Sequence, residues 1–258
     1  MDQIPTRDVL DSLIENGLHE IRRETSGLLL SGFSAGLDIG FGPLLMAVVL
    51  TLSQGGFGDL TTELVLASVY AVGFLFVILG RSELFTEHTT LAVIPVLDRQ
   101  ASVGELGRLW GLVYLGNIVG GLLFTLLAVI LMPDLGVVSP AAFETIAHKL
   151  VSHDLHWLFV AGIFAGWLMG LLAWLITAAQ GTLSRIALIW IVTGTISLLH
   201  LPHSIAGNVE VLFGLFVSSA VTPLDYLAFL VLATLGNACG GAVFVAVLKY
   251  GHVVRGAR

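Results

Sequence analysis

Gly32-Phe33-Ser34-Ala35-Gly36, followed by Gly40, returns in the second half of the chain as Gly162-Ile163-Phe164-Ala165-Gly166, followed by Gly170. Gly116-Asn117-Ile118-Val119-Gly120-Gly121 returns in the same order as Gly236-Asn237-Ala238-Cys239-Gly240-Gly241. Between the two motifs of each half lies an apolar tract with a break: Gly80-Arg81-Ser82-Glu83 in the first half, His200-Leu201-Pro202-His203 in the second. Glycines four apart let helix backbones approach closely, and one such pair alone signals only tight packing. Three matched features in one order mark a duplication. With three membrane crossings per copy, the copies run antiparallel. Inverted repeats of this kind place a pathway at the bilayer midplane, lined by the broken helices.

Composition agrees with a membrane setting. The 258 residues are 56% hydrophobic and only 11% charged, with a mean hydropathy of +0.96. A soluble domain carries roughly 25% charged residues, so this chain cannot clothe a water-facing surface, and a soluble enzyme is excluded. Apolar tracts occupy 27–52, 64–97, 109–132, 157–179, 186–219 and 226–248. A crossing helix takes about 20 apolar residues, so six crossings fit. The third, fourth and sixth tracts contain no Asp, Glu, Lys or Arg. The second and fifth are too long for one helix. The second is expected to resume near Thr89; in the fifth, Pro202 removes a backbone donor. Such non-helical backbone at membrane depth is tolerated only inside protein or beside a watery cavity.

Eighteen acidic against 11 basic residues, net -7, exclude a nucleic-acid partner. Cys239 is the one cysteine, so there is no intrachain disulfide and no Cys-based metal cage. Residues 1–26 have no apolar core of a cleavable leader. Val9, Leu10, Leu13, Ile14, Leu18 and Ile21 instead fall on one helical face. This segment is expected to be an amphipathic cytoplasmic helix, either a membrane-surface or gating element or a solvated cap. Arg7, Arg22, Arg23, Arg99, Arg108, Arg185, Lys249, Arg255 and Arg258 all fall on one side of an even number of crossings. The other side has only Lys149, and Arg81 sits in a break. That bias puts both termini in the cytoplasm. The expected organisation is an N-terminal segment 1–26, a six-span channel domain 27–250 with repeats at about 27–132 and 157–248, and a tail 251–258.

With these motifs in place, residues 27–250 resemble the formate/nitrite transporter family. Ser82-Glu83-Leu84-Phe85-Thr86 looks like the family's loop in the broken second helix, and His203-Ser204-Ile205-Ala206 like its central histidine motif. Gly116-Asn117 and Gly236-Asn237 are similar to its third- and sixth-helix motifs, and His148-Lys149 to its His-Lys pair. The resemblance implies an all-α membrane protein: an aquaporin-like six-helix bundle with an inverted three-helix repeat and broken second and fifth helices. It further implies a homopentamer in a lipid bilayer, with one pore per subunit, passing small monovalent anions or their conjugate acids. The expected location is the cytoplasmic membrane of a prokaryote, and no cofactor or enzymatic step is implied. The chain departs from the family pattern at Pro202, Gly207 with Asn208, Gly166, and Glu87 with His88, which suggests an atypical branch.

His203 stands beside the second break. A bare anion in a low-dielectric constriction costs many kcal/mol, and pairing it with a proton removes most of that cost. An imidazole there can donate a proton or hold a hydrogen bond near neutral pH; tying the broken backbone together is the competing role. The Thr86 hydroxyl could orient the anion. Lys149, read as a lone cation at an entrance, would attract anions or is simply a solvated loop residue. Apolar constrictions are expected from Leu84 or Phe85 on one break and Ile196 or Leu199 on the other, with His203 and Thr86 between them. Glu83, Asn117, Asn237 and Ser204 are read as scaffold for the broken helices.

Asp38, Glu87 and Glu210 are ionisable residues inside apolar tracts, and such residues are functional candidates by default. They would repel anions unless protonated or paired with His88 or Arg81. With His88 and His200 they form a possible selectivity set, and a channel for another small neutral or charged solute is the alternative they motivate. A metal or haem site is disfavoured: on this reading His200 and His203 share one helix, whereas metal ligands must converge from several directions.

Overall fold

A computed structural model describes residues 4–53, 56 and 58–256. Residues 1–3 of the N-terminal segment, and Arg258 with its neighbour at the end of the tail, lie outside the described residues. The regular structure described is entirely helical. The chain opens with α1 (Thr6–Ile21), whose buried residues are Val9, Leu10, Leu13, Ile14, Gly17 and Ile21. These are the anticipated apolar face, with Leu18 at its edge; that face is docked on protein, and the opposite face is exposed.

The first crossing is α2 (Thr25–Ile39) continued, after a bend at Gly40, by α3 (Phe41–Ser53). The second is α4 (Asp59–Gly80), then a break, then the short helices α5 (Phe85–Leu91) and α6 (Val93–Leu97). The tract thus resumes at Phe85, not near Thr89. The polar run Glu87-His88-Thr89-Thr90 is helical because its groups find partners inside the protein: Thr89 Oγ1 donates to the Thr86 carbonyl (2.7 Å) and Thr90 Oγ1 to the Gly241 carbonyl (2.9 Å).

The third crossing is α7 (Val103–Asp134). A further helix, α8 (Pro140–Val151), precedes the fourth crossing, α9 (Leu155–Ala178). Ser139 caps α8 by accepting from the Ala142 N–H, and Pro140 begins it at a position where no N–H is needed. The fifth crossing is split into α10 (Thr182–Leu198) and α11 (Ser204–Val217). The sixth is α12 (Pro223–Cys239), a π-helical stretch (Gly240–Val247) and α13 (Leu248–Gly256). Five of these units are long and apolar enough to cross a membrane on their own; α10 and α11 are shorter apolar pieces.

The duplication is visible in the packing. α2 lies along α7, and α9 lies along α12. A Cβ on Gly36 would strike the Asn117 backbone, and one on Gly166 would strike the Asn237 backbone. Glycine is therefore required at both crossings by close approach. Ser102 begins α7 and Thr222 begins α12 with the same reciprocal cap, to Glu105 and Asp225. Both breaks even contain a residue in the left-handed region, Arg81 at φ 58° and His200 at φ 51°.

α1, α6 and α13 gather at one end of the bundle. Arg108 donates there to the Ile21 and Arg23 carbonyls, and the Tyr250 hydroxyl donates to Asp98 at 2.8 Å. This end, which carries the clustered arginines and Lys249, is called the basic end below; the other is the far end.

Candidate functional site

The two breaks are held by two asparagines in the same way. Asn117 accepts from the Phe85 N–H (2.9 Å) and donates to the Gly32 and Glu83 carbonyls (2.8 Å each). Asn237 accepts from the Ser204 N–H (2.8 Å) and donates to the Gly162 and Pro202 carbonyls (2.9 Å each). Each amide thus satisfies backbone groups that a broken helix leaves open, where no water can serve them. Ser204 contributes its backbone N–H, while its own hydroxyl is buried without a partner.

The break in the second half brings His203 to the start of α11. Its Nδ1 accepts from the Ala206 N–H (3.1 Å) and so caps the helix. A ring nitrogen that accepts carries no proton, so the neutral ring carries its proton on Nε2. Nε2 stands 2.8 Å from Thr86 Oγ1, and donates to it. Both nitrogens are therefore engaged. This geometry is compatible with both a holder of hydrogen bonds and a tie for the broken backbone. Phe74 covers the ring edge-on, with centroids 5.0 Å apart; nothing in the sequence pattern pointed to this contact. His203 is 1% exposed and Thr86 fully buried.

A cavity opens toward each end of the bundle, and neither is lined by Thr86 or His203 themselves. At the basic end, Glu87, Arg81, Arg185, Glu15, Ser12 and Ile78 are among the residues around a space of about 650 Å³. At the far end, a space of about 20 Å³ is lined by Tyr70, Lys149, Ile196, His200 and Glu210 among others. That is room for about one water molecule. Of the expected constriction residues, Leu84 is fully buried at the first break and Ile196 lines the far-end cavity. Phe85 turns its ring to Trp110 and Tyr114 on α7, and Leu199 is 59% exposed and lines neither cavity. Of each expected alternative, Leu84 and Ile196 are therefore the two proposed below as constrictions.

Lys149 is not a lone cation. Its Nζ lies 2.6 Å from Glu63 Oε1, and His200 Nε2 lies 3.6 Å from the other oxygen of the same carboxyl. Glu63 escaped sequence reasoning because its partners are far along the chain. His200 sits in the break after α10 while His203 caps α11, so the two do not share a helix as the tract pattern suggested. His88 donates from Nε2 to Glu83 (2.6 Å), not to Glu87, and Arg23 donates to the other oxygen of Glu83 (2.8 Å). Glu83 therefore anchors the break to the link between α1 and α2. Asp38 accepts from Ser34 (3.3 Å) and faces a lateral groove beside Leu75, Phe76 and Ile186, outside both cavities. Among the described residues, no three of His, Cys, Asp and Glu converge as metal ligands would.

An inverted repeat whose two breaks meet between opposed cavities defines a multi-pass membrane protein of the channel and transporter kind. The solved structure of an FNT family ion channel has the same fold, with a TM-score of 0.84, 23% identity, and coverage of 95% of this chain and 98% of that one. A pentameric formate channel with formate bound follows at 0.76 and 20% identity, over 89% and 98%. Residues 7–251 match the sequence profile of the formate/nitrite transporters, and the chain belongs to that family. Inner membrane protein YfdC of Escherichia coli K12 is 31% identical over 257 residues, 98% of this chain and 81% of that protein.

Proposed function

We propose that the protein is a passive or proton-linked channel for small monovalent weak-acid anions, formate-like or nitrite-like, and their conjugate acids. The Thr86–His203 hydrogen bond, set between two cavities, carries this reading. A bare anion in this buried segment would cost many kcal/mol, so the substrate passes its narrowest part with a proton. Thr86 accepts from His203 and keeps its own O–H proton to offer to the substrate. Leu84 and Ile196 exclude hydrated ions on either side, and Lys149 stands at the far-end entrance. Glu83, Asn117, Asn237 and Ser204 hold the breaks open. The protein acts by passage, not by chemical conversion.

The pentameric neighbour supports a homopentamer with a pore through each protomer. The basic end is assigned to the cytoplasm, with both termini there, on the distribution of arginine and lysine. The related E. coli inner membrane protein supports the cytoplasmic membrane as the location. α1 serves as a cytoplasmic helix attached to the channel domain.

The reading is tested by flux of formate, nitrite, chloride and ammonium into proteoliposomes between about pH 5 and 8, the range in which histidine titrates. Weak-acid flux that grows with acidity, without chloride flux, is expected. A second reading, a channel for another small neutral or cationic solute, is favoured by the carboxyls of Glu210 and Glu87, which have no ion-pair or hydrogen-bond partner among the described residues. Ammonium flux without formate flux would establish it in place of the first.

A further inference from the structure

Glu210 lies on α11, seven residues from the His203 cap, or roughly 10 Å along a helix. It is only 6% exposed, and it lines the far-end cavity. Among the described residues its carboxyl has neither a hydrogen-bond nor an ion-pair partner. A carboxyl buried to this degree and left unpaired is costly, and here it borders the far-end cavity, beside Leu201 of the break that carries His203.

We propose that Glu210 is the proton-exchange group of the far-end cavity, converting a small weak-acid anion to its neutral acid before it meets Thr86 and His203. The inference rests on the weak-acid reading above. The O–H bond of the Glu210 carboxylic acid breaks as an O–H bond forms on the anion. The carboxylate left behind regains a proton from water on the far side, and anion and proton enter one for one.

The neighbouring groups suit this role less well. Lys149, reaching in from α8, is engaged by Glu63 of α4, and an ammonium of ordinary pKa about 10.4 gives a proton to a weak-acid anion only far uphill. Tyr70 of α4, with a phenol of ordinary pKa about 10, has the same difficulty. His200, from the break, stands by Glu63 and is half-exposed. His203 has both nitrogens engaged. Met46 from α3 and Ile146 from α8 add only apolar surface. Among the described residues around this cavity, Glu210 is the carboxyl that is both buried and without a hydrogen-bond or ion-pair partner, so it is free to hold a proton and pass it to an anion beside it.

The test uses proteoliposomes of the full-length protein, with formate as the probe and an internal pH dye reporting protons. In the wild type, formate and protons should enter together, faster as the outside is acidified from about pH 7 to 5. Glu210→Gln should cut both by about tenfold and flatten that rise; Glu210→His, which restores a titratable group, should recover part of the proton-coupled flux with an altered pH profile. Wild-type flux with an unchanged or increased rate and the same pH profile in whichever of the two variants reaches the membrane would overturn the role of Glu210. No formate flux in the wild type would instead remove the weak-acid reading itself.

Discussion

Leu84 and His203 hold the same place in the two halves of the molecule. Each is the residue before a half-helix, and each is spanned by two hydrogen bonds of one asparagine: Asn117 reaches the residues on either side of Leu84, and Asn237 those on either side of His203. The duplicated scaffold therefore offers two equivalent central positions. One holds an aliphatic side chain, the other an imidazole that caps α11 and reaches Thr86 of the opposite half. Symmetry supplies the frame, and departure from symmetry supplies the polar site.

Asn117→Leu and Asn237→Leu should each destabilise the protein by about 2–4 kcal/mol, since three hydrogen bonds are lost and backbone groups are left bare. Thermal unfolding in detergent would register it. A melting temperature within a degree of the wild type for both variants would show that the asparagines are not what holds the breaks.

Gly166→Asn should also be poorly tolerated, because any side chain there meets the Asn237 backbone. Overpacking of this kind costs about 1–3 kcal/mol. The same thermal assay, with membrane yield, checks it. A stable, abundant variant would mean that α9 and α12 can part without loss.

Glu63→Gln should release Lys149 from its ion pair. Anion uptake through the far end should rise about threefold at low ionic strength and lose the gain in high salt, where exposed charges are screened. A fall in uptake would instead show that the pair itself is needed at the entrance.

The repeat, the broken crossings and the scaffold asparagines are legible because they rest on local patterns: glycines four apart, long apolar tracts, and a motif that occurs twice. The resumption at Phe85 was hidden, because Glu87-His88-Thr89-Thr90 reads as a polar loop until Glu83 and the Gly241 carbonyl supply its partners from elsewhere. α8 was not anticipated, because its one-sided burial depends on α11 and α3. Glu63 and Phe74 act through contacts with residues distant in the chain, and no spacing announces them. The candidate site was recognisable as His203 and Thr86. Which ring nitrogen does what required the turn that aims Nδ1 back at Ala206.

The most direct measurement is formate flux through His203→Asn in proteoliposomes, beside wild type and Thr86→Val. Asparagine is a good helix cap, so α11 should keep its start, and a matching melting temperature confirms that the fold survives. Without the Nε2–H, the contact to Thr86 is lost. Flux should fall at least tenfold in both variants, about 1.4 kcal/mol or more of barrier. A well-folded His203→Asn protein that carries formate at the wild-type rate would contradict a pathway through this pair.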